Sequence, residues 1–219
     1  MRSKQLIIFD WDGTLMDSIN HIVDSMRYAI QAMDLETRTT EQLRDIIGLG
    51  MKEAIFRLYP DQQTSDFANQ FSAAYRENFF IEQAPQSLFD GVENTLQSLI
   101  DQDYLLAVAT SKSRHGLDKV MSQTGLAEYF VTSRCADETR SKPHPQMLLE
   151  ILESQQIAAE DAMMIGDTEY DLEMAVQARV LPVGVSYGVH TIERLNKYNP
   201  AHILDNITHL PKWLESRQS

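Results

Sequence analysis

Hydrophobic positions along the chain change period twice, and those changes divide it. Near the start, Leu6-Ile7-Ile8-Phe9 is apolar without interruption and stops at Asp10. An unbroken apolar run ending in turn residues predicts a strand covered on both faces. From Ser18 to about Glu82 the spacing becomes helical. Ile19, Ile22, Val23, Met26, Ala29, Ile30 and Met33 define one helix, with Asp17 or Ser18 as its N-cap. Thr39-Thr40-Glu41 opens a second, carrying Leu43, Ile46 and Ile47 on one face, and Gly48-Leu49-Gly50 breaks it. Met51 to Tyr59 is a third, stopped by Pro60, and Ser65 to Ile81 a fourth with Phe67, Phe71, Ala74, Tyr75 and Phe79. No part of this stretch reads as a strand, so it predicts a helical bundle.

From Pro85 onward strands and helices alternate. Helices are expected over Gly91–Gln102, Arg114–Gly125, Pro143–Gln155, Asp171–Ala178 and Ile207–Leu214. Strands are expected over Tyr104–Ala109, Tyr129–Thr132, Asp161–Ile165, Leu181–Val185 and, shortest, His202–Leu204. Alternation implies parallel strands joined by crossover helices. The run ending at Asp10 matches this second part in type but is separated from it by the bundle. The expected fold is therefore α/β, a Rossmann-like parallel sheet core with an α-helical domain inserted after its first strand. The core takes residues 1–16 and 84–219, and the insert residues 17–83.

Composition narrows the function. The 219 residues are 43% apolar and 23% charged, ordinary globular values. A formal net charge of −13 argues against a nucleic-acid partner, whose binding is dominated by cations on phosphates. It leaves room for a small phosphorylated metabolite. The single cysteine, Cys135, forms no intrachain disulfide and is expected as a buried thiol. Arg2 and Lys4 precede an apolar run too short for a signal peptide, and no segment approaches the ~20 apolar residues of a membrane span. A cytoplasmic protein without a membrane partner is expected. The six histidines show no metal-ligand spacing.

Chemistry-bearing residues gather where strands end. Asp10 and Asp12 follow the first strand, Thr110 and Ser111 the second, and Asp167 and Asp171 a later one, while Lys142 precedes Pro143 in a loop. In a parallel sheet those ends share one edge, where ligands bind. Two adjacent carboxylates repel unless a cation or a proton intervenes. The set suits phosphoryl transfer: one carboxylate to attack phosphorus, a second to shuttle a proton, a hydroxyl and a lysine to hold oxygens, and carboxylates for Mg²⁺. Taken singly, each residue also has a plain structural reading. Aspartates form turns, Thr110 or Ser111 could cap a helix, a lysine is usually solvated, and acidic residues favour a first helical turn. Lys112 and Arg114, beside Thr110 and Ser111, could engage a substrate's anionic tail; a solvated face is the other reading and the one expected.

Together, Asp10-Trp11-Asp12-Gly13-Thr14-Leu15, Ala109-Thr110-Ser111-Lys112, Ser141-Lys142-Pro143 and Gly166-Asp167-Thr168-Glu169-Tyr170-Asp171 resemble the haloacid dehalogenase superfamily. The resemblance is to its helical-cap subgroup, near phosphoglycolate phosphatase-like enzymes, and it covers nearly the whole chain. It implies Asp10 as nucleophile and Asp12 as general acid and base. It implies Mg²⁺ on Asp10, the backbone carbonyl of Asp12, and Asp167. Phosphate would be bound by Thr110 and the Ser111 N–H, with Lys142 neutralising charge and Asp171 supporting the metal shell or orienting Lys142. Gly48, Gly50 and Lys52 sit where related caps carry a specificity loop; a plain helix–helix turn is the other reading. The implied activity is Mg²⁺-dependent hydrolysis of a small phosphate monoester. The alternatives are a phosphosugar mutase resembling β-phosphoglucomutase, a pyrophosphatase or nucleotidase, and a non-catalytic phospholigand-binding module. Asp12 disfavours the dehalogenase branch.

Overall fold

The computed structural model describes residues 5–81 and 87–218. Arg2, Lys4, Pro85 and the boundary expected between residues 83 and 84 lie outside the described residues. In chain order the elements are β1 (Leu6–Phe9), β2 (Met16–Asp17), α1 (Ile19–Ala32), α2 (Thr40–Asp45), α3 (Met51–Leu58), α4 (Ser65–Ile81) and β3 (Ser87–Leu88). There follow α5 (Val92–Asp101), β4 (Leu105–Thr110), α6 (Arg114–Thr124), β5 (Thr132–Cys135), α7 (Gln146–Gln155) and β6 (Ala162–Gly166). The last are α8 (Glu169–Ala178), β7 (Leu181–Val185), α9 (Ile192–Leu195), β8 (Ile203–Leu204) and α10 (Leu210–Gln218).

Six strands form one parallel sheet in the order β5-β4-β1-β6-β7-β8. The unbroken apolar run of β1 follows from its central position. Ile7 and Phe9 enter the core on one face, with Leu96 of α5, Leu117 of α6 and Leu210 of α10. Leu6 and Ile8 enter the core on the other, with Leu148 of α7 and Met174 of α8. Neighbouring side chains point to opposite faces of a strand, so a strand covered twice has no polar position to spare.

Helices α1 to α4 build a separate apolar cluster around Phe71, Leu43, Ile55 and Ala29. Side-chain contacts clasp this insert to the sheet domain. Arg194 bridges Asp45 at the end of α2 and Glu169 of α8, each at 2.5 Å, and Tyr170 Oη donates to the Asp45 carbonyl at 2.8 Å. Among the described residues no helix is long and apolar enough to cross a membrane.

Several local expectations shift. The apolar Tyr129–Thr132 is not the fifth strand. Residues 126–129 form a 3₁₀ turn, and the strand is the more polar Thr132–Cys135. It lies at the sheet edge, where one side needs no partner, and Phe130 packs beside Trp11 with ring centroids 6.2 Å apart. Helix α7 starts at Gln146, not Pro143. A Ser141–His144 turn precedes it, the Lys142–Pro143 peptide is cis, and the His144 ring accepts from the Gln146 N–H at 3.2 Å. Helix α8 begins two residues before Asp171, because Thr168 and Asp171 form a capping box. The ribbon pairing β2 with β3 was invisible in the sequence, since two-residue strands carry no period. Cys135 is buried, and burial pushes its thiol up to about 12.

Candidate active site

The first strand-end carboxylate belongs to Asp10, whose N–H donates to the Ile165 carbonyl at 2.9 Å and prolongs the β1–β6 ladder by one residue. Thr110 closes β4 on one side of β1, and Asp167 follows β6 on the other. The chain runs from β1 to β4 and β5 on one side and then crosses from β5 to β6 on the other, so these ends flank the crevice at which open α/β sheets bind ligands.

Lys142 reaches this crevice from the loop before α7. Its Nζ lies 2.7 Å from Asp10 Oδ1 and 2.6 Å from Asp171 Oδ1, with its side chain 0% exposed. The plain reading of Lys142 as a solvated lysine therefore fails. Burial alone would lower the pKa of this ammonium, but the two facing carboxylates outweigh it and raise it, so Lys142 stays charged. Asp171 is held from behind by its own helix start: its Oδ2 accepts from the Thr168 N–H at 3.1 Å and the Thr168 hydroxyl at 2.6 Å. Capping one helix thus aims the other oxygen at Lys142.

Asp167 is fully buried. Its Oδ1 accepts from the Thr14 hydroxyl at 3.0 Å and its Oδ2 from the Val189 N–H at 2.8 Å. Burial, then Asp171, push its carboxyl up to about 7. Burial also holds Asp10 well above the usual carboxylate range, against the pull of Lys142. Asp10, Asp167 and Asp171 each offer an oxygen within 4.8 Å of the others. Three buried carboxylates face one ammonium, which leaves excess negative charge in a region of low dielectric. An all-oxygen set of this kind fits a hard divalent cation.

The Asp12 carboxylate stands apart from that cluster. Its Oδ1 accepts from the Ser18 hydroxyl and lies 2.9 Å from Lys112 Nζ. Ser18 occupies the N-cap position of α1 but makes no capping hydrogen bond, because its hydroxyl is turned to Asp12. Lys112 is 7% exposed at its side chain, so the expectation of a solvated Lys112 is overturned; Asp12 draws it in. Arg114 does lie part-exposed, paired with Glu138 at 2.8 Å. Thr110 and Ser111 do not cap α6, whose cap is Ser113. The Thr110 hydroxyl accepts from the Lys112 N–H at 3.2 Å, and the Ser111 hydroxyl donates to the Gly48 carbonyl.

That last contact seats the cap loop. Gly48 has φ +100°, and the Gly50 N–H donates to Ser141 Oγ at 2.7 Å. The Gly48–Gly50 loop therefore touches the segments before Lys112 and Lys142. Lys52 stays on the surface, over the Phe56 ring. Between insert and sheet lies a cavity of about 290 Å³ that reaches Asp10 and Asp12. Sequence reasoning missed Val189 and saw Ser18 only as a helix cap, not as a partner of Asp12. Thr14 and Lys112 stood inside motifs already singled out, so proximity to Asp12 and Asp167 was the signal available for them.

Comparison with known proteins gives the family and the fold. The sequence profile of the family described as Haloacid dehalogenase-like hydrolase matches residues 7–185. The chain is similar to the "Probable phosphatase IndB" of Dickeya dadantii, at 34% identity over 94% of this chain and 91% of the other. It is also similar to a phosphoglycolate phosphatase of Vibrio parahaemolyticus, at 30% identity over 94% of each. Among solved structures, a "predicted phosphatase" from Clostridium acetobutylicum superposes with a TM-score of 0.87 at 28% identity, over 98% of this chain and 100% of that one.

Proposed function

The chain belongs to the haloacid dehalogenase-like hydrolase family and is a hydrolase, and from that premise we propose that it cleaves small phosphate monoesters with Mg²⁺ through an aspartyl phosphate on Asp10. The observation that carries this reading is the environment of Asp10. Its Oδ1 is held by Lys142 at 2.7 Å, in a crevice shared with Asp167 and Asp171.

The remaining oxygen of Asp10 attacks phosphorus as the P–O bond to the alcohol breaks. Asp12 acts as the general acid that gives a proton to the departing oxygen. It then takes a proton from water, whose oxygen attacks the aspartyl phosphate, releasing inorganic phosphate and restoring Asp10. The Ser18 hydroxyl and Lys112 Nζ keep Asp12 in one orientation through both steps. Thr110 and the Ser111 N–H hold phosphoryl oxygens, and Lys142 offsets their charge. Asp10, the Asp12 carbonyl and Asp167 would hold Mg²⁺, which when bound would offset the negative charge of the transferring phosphoryl group. Asp171 keeps Lys142 in place. Phosphoglycolate, named for one relative above, is a substrate to test first.

The deciding experiment is phosphate release from a panel of phosphate monoesters, with Mg²⁺ and with EDTA. Release that requires Mg²⁺ is expected; its absence with every ester would overturn the reading.

Gly13 supplies a second test. Its φ of +81° lies in the left-handed region, and a Cβ there would overlap the Asp167 carboxylate. Gly13→Ala is expected to cost about 1–2 kcal/mol from backbone conformation. Because it also displaces Asp167, it should raise the Mg²⁺ concentration giving half-maximal activity by ~10-fold or more, on the scale of disturbed ligand support. A Mg²⁺ titration of phosphate release checks this.

A further inference from the structure

The cavity above Asp10 and Asp12 has an uneven chemistry. Towards the cap its wall is Ile22, Met26, Ile47, Leu49, Tyr75 and Phe79. Two cationic side chains, Lys112 and Arg76, belong to its lining. Lys112 is already paired with Asp12 at 2.9 Å, so a second anion there would crowd the Asp12 carboxylate. Arg76 is exposed, and its Nε–H donates to the Ser72 carbonyl at 3.0 Å. Two serine hydroxyls of the lining are engaged as well. The Ser72 hydroxyl donates to the Ala68 carbonyl at 2.7 Å, and the Ser111 hydroxyl donates to the Gly48 carbonyl.

A ligand carboxylate placed against the apolar part of this wall, away from Arg76, would lose water without gaining a cation, which is unfavourable. An apolar group of the same size gains by leaving water. The volume, about 290 Å³, lies just below the ~300–1,000 Å³ range of ligand pockets, enough for a phosphoryl group and an alcohol of about one ring. We infer that the substrate is a phosphate monoester whose alcohol half is uncharged and largely apolar, such as a benzyl or branched alkyl group, and that a carboxylated alcohol such as glycolate is selected against. The inference rests on the phosphatase reading for its reaction and on the cap wall for its selectivity.

The test compares kcat/KM for benzyl phosphate and 2-phosphoglycolate, both esters of alkyl alcohols, alongside binding of benzylphosphonate and phosphonoacetate by calorimetry. Benzyl phosphate is expected to be favoured by at least ~10-fold. Leu49→Arg, which puts a cation on the wall, should reverse the preference; Phe80→Arg at the half-buried rim serves if the first variant fails to fold. Equal or better turnover of phosphoglycolate by the unaltered protein would overturn the inference and leave the phosphatase reading standing, as would a substrate ratio unmoved by either variant. No turnover of any ester, with benzylphosphonate bound at least ~10-fold more tightly than phosphonoacetate, would overturn the phosphatase reading and keep the apolar pocket. No turnover and no such difference in binding would overturn both.

Discussion

Asp10→Asn is expected to abolish Mg²⁺-dependent phosphate release, by ~10³-fold or more as for removal of a nucleophile, without destabilising the fold. An amide cannot form the acyl phosphate, so the loss appears in kcat and is not recovered at high substrate. Stability should move the other way. The Asp10 carboxyl is raised well above its usual range by burial, with Asp171 and Asp167 adding to the effect of that burial. A group with a raised folded pKa favours the folded state at low pH, and that contribution is lost as pH rises through its folded value. Asparagine removes that loss, and Lys142 keeps Asp171 as its partner at 2.6 Å. In EDTA at neutral pH the variant should therefore unfold at the same urea concentration as the parent or a higher one. Undiminished phosphate release would refute the nucleophile assignment, and lost release accompanied by a lower midpoint would assign Asp10 a structural role.

That Asp10 could be singled out at all reflects where the sequence is informative. A strand buried on both faces must be apolar throughout, so Leu6–Phe9 announces itself and the first charged residue after it marks the sheet edge. The helices of the insert were legible too, because each buries a single stripe against the others; the limits expected for α4, Ser65 and Ile81, are those found, whereas α2 ends at Asp45 and leaves Ile46 and Ile47, expected on its face, in the turn that follows. Edge strands gave no such signal. Thr132–Cys135 is covered on fewer sides and tolerates Ser133 and Arg134, while the more apolar Tyr129 and Phe130 pack as loop residues beside it. Helix starts were misjudged where a side chain served two ends at once. Asp171 is read most simply as the beginning of a helix, but it closes a capping box and meets Lys142 with its other oxygen. Ser18 sits where a cap is expected and turns to Asp12 instead. Such choices depend on partners far away in sequence, which local periodicity does not contain.

Replacing Lys142 with methionine should have the largest effect on stability. Methionine fills similar space, so the change isolates the charge. Removing one partner of a buried ion pair typically costs about 3–5 kcal/mol, because the carboxylates left behind keep their desolvation and lose their compensation. Here two partners, Asp10 and Asp171, are left behind, with Asp167 close by. The pH dependence separates this account from simple loss of packing. Without Lys142 the Asp10 carboxyl rises further, since that ammonium is what draws it down, and Asp167, already at about 7, loses the same help. Raised carboxyls contribute stability below the unfolded value of about 4 and lose it as pH climbs through the folded one. The deficit relative to the parent should therefore be small near pH 4 and widen through about pH 7. Urea unfolding of both proteins in EDTA at several pH values measures it. A deficit that stays constant with pH would point to altered packing, and the absence of any deficit would mean that these carboxylates take up protons or water without needing the lysine. Phosphate release should be lost in either event, because nothing else among the described residues brings an ammonium within 2.7 Å of Asp10.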